Sequence, residues 1–202
     1  MNKQDRIFIV DDDPLIRQSL SELLEAAGFA IECFSGAKEF LDYCTQHTRG
    51  CLILDLKMPV MDGAALHAEL NARKIQLPVI FLTGYGSIAA AVSAIRSGAM
   101  DFLTKPVDCA VLLARVREAL ERNRSMAARI EERNQAAVLI EKLTERETEV
   151  MELVLAGHAN KEIARIMGIS ARTVEAHRYR IVKKTGVANR KALENLVMLA
   201  RK

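Results

Sequence analysis

The stretch LILDLKMPVMDG (52–63) decides the fold, because it opens as an unbroken apolar run, ends that run on an acid, Asp55, and leads into a helical pattern at 64–73. A strand with no polar alternation is covered on both faces, as in a parallel sheet. Working outward, the same unit recurs: IFIV (7–10), AIECF (30–34), CLILDL (51–56), PVIFLT (78–83) and the short DFL (101–103) read as strands. Between and after them, helical patterns lie at 14–27, 35–47, 64–73, 87–97 and from 108 onward. Five successive βα units predict an α/β domain with a five-stranded, doubly wound parallel sheet. Ligands of such sheets bind beyond the carboxyl ends of the strands, which fixes where functional side chains should gather.

The chain has 202 residues and a hydrophobic content of 50%, enough to bury the cores of one large or two modest domains. Its start, MNKQDRIFIVDDD, lacks the apolar stretch of about 7–15 residues of a secretory signal. Nothing later approaches the roughly 18 apolar residues of a membrane span, so a cytoplasmic protein with no membrane partner is expected. Cys33, Cys44, Cys51 and Cys109 have no CxxC spacing and no histidine cluster beside them, and all four read as small core hydrophobes. The net charge of +3 is unevenly spread: residues 1–121 carry −4, residues 122–142 carry +2 and residues 143–202 carry +5. A basic module behind an acidic one suggests a polyanion partner for the second.

Residues 108–142 contain no Pro or Gly and are rich in Ala, Arg, Glu and Leu, which predicts one long helix. Val116, Met126, Ile130, Ala137 and Ile140 give it apolar points, but Asn123 and Arg133 interrupt a heptad seam. A solvated spacer and a weak contact between protomers both remain open. Beyond it, Thr144-x-x-Glu147 has the form of a capping box and opens a helix that runs to Gly157. Further helices are predicted at 160–167, 171–184 and 189–200, giving an all-α four-helix domain. The expected organisation is therefore a domain over 1–121, a helical linker over 122–142 and a second domain over 143–202.

At the predicted strand ends stand Asp11, Asp12 and Asp13, then Asp55, Thr83 and Lys105-Pro106. Clustered carboxylates repel one another unless a cation is present, and Mg²⁺ suits such a hard oxygen site. A carboxylate can accept a phosphoryl group as an acyl phosphate, provided the charge is neutralised and the phosphoryl oxygens are bound. Lys105 and Thr83 fit those two needs.

In NKEIARIMGISARTVEAHRYRIVKK (160–184), a short helix, a turn at Gly168 and a longer basic helix capped by Ser170 have helix-turn-helix spacing. Ala164 allows a close helix crossing, and Val174, His177 and Ile181 should face inward. The opposite face presents Arg172, Glu175, Ala176, Tyr179 and Lys183 toward the base edges of a major groove. Lys161, Thr173, Arg178, Arg180 and Lys184 read as phosphate contacts that position without selecting sequence. His177 is counted with this DNA-binding set as well.

VDDDP (10–14), LILDLKMPVMDG (52–63), TGYG (83–86) and DFLTKP (101–106) together resemble the receiver domain of two-component response regulators over about 120 residues. The resemblance implies a flavodoxin-like fold. It also implies phosphorylation of Asp55 by a sensor histidine kinase, and Mg²⁺ held by Asp11, Asp12, Asp55 and the backbone carbonyl of Lys57. Thr83 and Phe102 would form a switch, the hydroxyl moving toward the phosphate as the ring turns inward. Lys57 and Tyr85 would lie beside the path of the hydrolytic water. The second half, from LTERETEVMELVLAG onward, resembles the LuxR/FixJ class of DNA-binding domain. That class implies binding to double-stranded DNA as a homodimer on activation, with RNA polymerase a possible further partner. Two rivals stand beside this reading: a phosphatase or phosphotransferase using Asp11 as nucleophile and Asp13 as acid, and a constitutive DNA-binding protein whose receiver does not switch.

Overall fold

The computed structural model describes residues 6–84, 95–96 and 98–201. Its contacts divide the chain into two units, Met1–Met126 and Ala127–Lys202. In the first unit five parallel strands, β1 (Arg6–Val10), β2 (Ala30–Phe34), β3 (Gly50–Asp55), β4 (Val79–Thr83) and β5 (Asp101–Thr104), form one sheet in the order β2-β1-β3-β4-β5. This is the doubly wound, flavodoxin-like order, and it reverses direction between β1 and β3. The central strands are buried along their length, which is why their sequences show no polar alternation.

Around the sheet lie α1 (Pro14–Ala26), α2 (Ala37–Tyr43), α3 (Gly63–Ala72) and the start of α4 (Cys109–Glu141). Asp13 and Asp62 cap α1 and α3 by accepting the backbone N–H of Leu15 and Ala65. The helix expected over 35–47 ends at Tyr43, because the following residues satisfy their backbone locally: Thr45 N–H bonds the Thr48 hydroxyl and His47 N–H bonds the Thr45 hydroxyl. The pattern at 87–97, and Tyr85, lie outside the described residues but for Ile95 and Arg96.

Alternate residues of each strand serve two cores. Phe8, Val10, Leu52, Leu54, Phe81 and, more loosely, Phe102 pack on one face of the sheet. Ile7, Ile9, Cys51, Ile53, Ile80 and Leu82 pack on the other, with Leu112, Val116 and Leu120 of α4. The expectation that all four cysteines are core residues is corrected. Cys44 and Cys51 are buried, but Cys33 and Cys109 are exposed. Cys109 is the first residue of α4, and Cys33 instead meets the Ser21 hydroxyl at 3.0 Å.

In the second unit, α5 (Glu145–Leu155), α6 (Asn160–Met167), α7 (Ala171–Thr185) and α8 (Arg190–Ala200) close on a core of Val150, Met151, Ile163, Val174, Ile181 and Val197. The Thr144–Glu147 capping box is formed, and Ser170 caps α7 through the Thr173 N–H at 3.1 Å. Gly168 ends α6 in the left-handed region at φ 66°, the conformation that turns one helix into the next.

Candidate functional site

The register of the sheet explains how distant residues meet. Val10 pairs with Leu54, so the next residues, Asp11 and Asp55, emerge side by side where the strand order reverses. Lys105 follows β5 and is tied to β4 by its N–H on the Thr83 carbonyl at 2.7 Å. Its ammonium bridges the two acids, 2.6 Å from Asp11 Oδ2 and 2.6 Å from Asp55 Oδ1. Asp11 and Asp55 are 2% and 7% exposed. Buried carboxylates this close require a cation, and the lysine supplies one.

Every other oxygen of the pair is held. Asp55 Oδ2 accepts the Lys57 N–H at 2.7 Å, and Asp11 Oδ1 accepts the Asp13 N–H at 3.0 Å. Arg17 Nη1 donates to the Asp11 carbonyl at 2.7 Å, fixing the loop that carries the acid. Burial raises the Asp55 carboxyl above the usual carboxylate range, and the charge of Asp11 adds to this, while Lys105 and the Lys57 N–H pull the other way. Burial likewise opposes the Lys105 ammonium, but its bonds to Asp11 and Asp55 hold it above the usual lysine value. The result is a carboxylate that is basic for its kind yet screened, suited to attack an electrophile.

Side-chain alternation separates two sets of residues at this rim. Asp11, Asp55 and Lys105 continue the rows of Ile9, Ile53 and Leu103, whereas Thr83 continues the row of Phe81 on the opposite face. Thr83 is buried, and Phe102, beside Phe81 in the register, is partly buried against that same core. Asp12 is exposed. Among the described residues no group of three His, Cys, Asp or Glu side chains is close enough to hold a metal ion, so the two acids that meet are Asp11 and Asp55. Asp13, the acid of the rival phosphatase scheme, is exposed and serves as the N-cap of α1.

Between Asp55 and α3, Met61 N–H bonds the Pro59 carbonyl at 2.8 Å across Val60, whose φ is 69°. This is the strained form of γ-turn, occupied here by a β-branched residue whose side chain stands in solvent at 108% exposure. Left-handed backbone costs an L-residue about 1–2 kcal/mol. Val60→Gly is therefore expected to raise stability by about 1 kcal/mol, read as a higher denaturation midpoint at unchanged slope.

In the second unit, Arg172, Thr173, Glu175, Ala176, Tyr179, Arg180 and Lys183 of α7, with Lys161 of α6, are exposed, and Tyr179 reaches 69%. Val174 and Ile181 face the core as their spacing requires, while His177 is only half-buried. The Nδ1 of His177 is inaccessible and has no hydrogen-bond partner among the described residues. Arg178 donates to the Asn160 side chain at 2.8 Å. Lys184 departs from its assignment to phosphate: its ammonium lies 2.6 Å from Glu147 Oε2, and that carboxylate is 2% exposed. Burial alone would raise the Glu147 carboxyl, but Lys184 and the Thr144 N–H hold it below the usual range. Lys184 is the counter-ion of a buried acid, and nothing local in its sequence signals this.

Comparison with known proteins agrees with both halves. The family description "response regulator receiver domain" matches residues 7–117, and "bacterial regulatory proteins, luxR family" matches residues 141–197. The fold and the acid–lysine rim thus define a receiver joined to a luxR-type DNA-binding domain, a phosphorylation-controlled regulator of transcription. The chain belongs to the response regulator family and is homologous to the FixJ and TodT regulators. It is 41% identical over 192 residues to the transcriptional regulatory protein TdiR of Thauera aromatica, covering 95% of this chain and 85% of that protein. To FixJ of Azorhizobium caulinodans it is 39% identical over 194 residues, covering 96% and 92%. Among solved structures, the response regulator StyR matches with a TM-score of 0.91 at 37% identity, over 96% of this chain and 98% of that one. Among the described residues no helix is long and apolar enough to cross a membrane.

Proposed function

We propose that Asp55 is the phosphoacceptor and that its acyl phosphate controls DNA binding by the second unit. The observation that carries this reading is the Lys105 ammonium shared by Asp11 and Asp55 at 2.6 Å, at the point where the strand order reverses. A carboxylate oxygen of Asp55 attacks the phosphorus of a phosphohistidine on a sensor histidine kinase. The P–N bond breaks, its electron pair stays on the imidazole nitrogen, and the acyl phosphate remains on Asp55. Lys105 and the Thr83 hydroxyl take the phosphoryl oxygens, and Phe102 follows Thr83 as the reporting side chain.

The buried oxygens that already share one cation suit a hard divalent ion, and Asp11, Asp55, the Lys57 carbonyl and Asp12 at the rim would hold Mg²⁺. When bound, Mg²⁺ supplies the remaining neutralisation of phosphoryl charge. The working division is a receiver over 1–121, a linker over 122–142 and a DNA-binding domain over 143–202, acting in the cytoplasm.

On activation the chain pairs with a second copy, and the two α7 helices read half-sites about one helical turn apart, with RNA polymerase as the further partner. Arg172, Glu175, Ala176, Tyr179 and Lys183 face base edges. Lys161, Thr173, Arg178 and Arg180 face the backbone. The test is a gel-shift titration on DNA selected from a random pool, with and without beryllofluoride and Mg²⁺. Beryllofluoride is expected to tighten binding at least about ten-fold, a coupling of roughly 1.4 kcal/mol. Equal affinities would favour a constitutive DNA-binding protein.

A further inference from the structure

Asn123 is the one buried polar side chain of α4, and its carboxamide continues the β3–β4 hydrogen-bond ladder just beyond the amino end of β4 at Val79. At the amino end of β3, Leu52 N–H bonds the Pro78 carbonyl at 2.9 Å. A parallel ladder advances evenly by two residues, so the rung before it would join Gly50 N–H to the Gln76 carbonyl. Instead, Gly50 N–H donates to Asn123 Oδ1 at 3.0 Å, and Asn123 Nδ2 donates to the Gln76 carbonyl at 3.2 Å. A carboxamide carries the same donor and acceptor as a peptide group, so it fills the opened rung without leaving an orphan.

We propose that this rung is a two-position switch through which the phosphoacceptor strand governs α4. In one position the Asn123 amide is inserted and α4 is pinned to the sheet. In the other, Gly50 and Gln76 bond directly and α4 is released at that point. The backbone groups are satisfied either way, so neither position carries an unpaired peptide, and a small bias decides between them. The bias comes along β3, whose six residues are all buried and whose far end is Asp55. A closely packed strand transmits a displacement at one end to the other instead of absorbing it. Beyond Asn123 the helix continues to Glu141, so the release acts on the segment that leaves the receiver.

This inference rests on Asp55 as the phosphoacceptor, and hydrogen exchange on the full-length chain tests the two separately. With acetyl phosphate and Mg²⁺ the parent should become labelled. With beryllofluoride the amides of 119–126 should exchange at least about ten-fold faster, while the Gly50 amide, bonded in both positions, keeps its protection. In Asn123→Ala the 119–126 amides should exchange at the fast rate with or without beryllofluoride, with acetyl-phosphate labelling within about two-fold of the parent. Labelling of the parent with unchanged exchange over 119–126 overturns the switch alone, and so does an Asn123→Ala chain that responds like the parent. Failure to label the parent overturns the Asp55 assignment and the switch with it. The parent measurement decides the matter even if the variant does not fold.

Discussion

Asp55→Asn is expected to take up phosphate from acetyl phosphate at least about 100-fold more slowly than the parent, as measured by retained label on the intact chain. An amide is no nucleophile, yet it keeps the volume of the side chain and the oxygen that accepts the Lys57 N–H. The fold should therefore survive. At neutral pH it should even gain, because the parent's Asp55 carboxyl is raised by burial and by Asp11. A carboxyl whose folded pKa lies above its unfolded value opposes folding above the folded value, and that opposition fades as the pH falls through it. Asp55→Asn removes it while Lys105 stays paired with Asp11. An Asp55→Asn chain that labels like the parent would transfer the nucleophile to Asp11 and revive the phosphotransferase reading.

Lys184→Met is expected to destabilise the second unit by about 2 kcal/mol, in denaturant unfolding followed by circular dichroism. Removing one member of a buried ion pair typically costs about 3–5 kcal/mol, because the other charge is left uncompensated. The Lys184 side chain is 33% exposed, so solvent screening argues for a smaller figure here. The pH dependence carries the signature. The folded Glu147 carboxyl lies below its ordinary value of 4.5. The pair therefore stabilises the unit fully above that value and progressively less as the pH falls through the depressed one. In Lys184→Met this acid-side loss should shrink. A phosphate contact would behave differently, leaving stability unchanged and reducing the salt dependence of DNA binding by about one ion. That pattern would restore Lys184 to the DNA surface.

The parts of this molecule legible in its sequence are those governed by local pattern. Apolar runs mark the five strands, Thr144 and Glu147 announce their capping box, and the rule that ligands sit beyond strand ends points to Asp11, Asp12, Asp13, Asp55, Thr83 and Lys105, of which Asp11, Asp55 and Lys105 meet. The parts that stayed hidden depend on side chains meeting across long separations. Asn123 showed itself only as a break in a heptad, because Gly50 is 73 residues away and Gln76 is 47. Lys184 looked like one more cation on a basic helix, because Glu147 lies 37 residues earlier and its capping role already accounted for it. The exposure of Cys33 and Cys109 is illegible for a simpler reason: cysteine favours interiors on average, and the average does not tell which side of a strand or helix faces water.

The alternation that puts Asp11, Asp55 and Lys105 in one set of rows and Thr83 and Phe102 in the other would, on the proposed roles, make the sheet a partition between writing and reading. With Asp55 as the proposed phosphoacceptor and Thr83 and Phe102 as the proposed switch, the covalent mark is inscribed from one side, while the side chains proposed to register it are rooted in the hydrophobic layer across the sheet. A lineage of such proteins could retain one inscription chemistry while revising, residue by residue, what the mark is taken to mean.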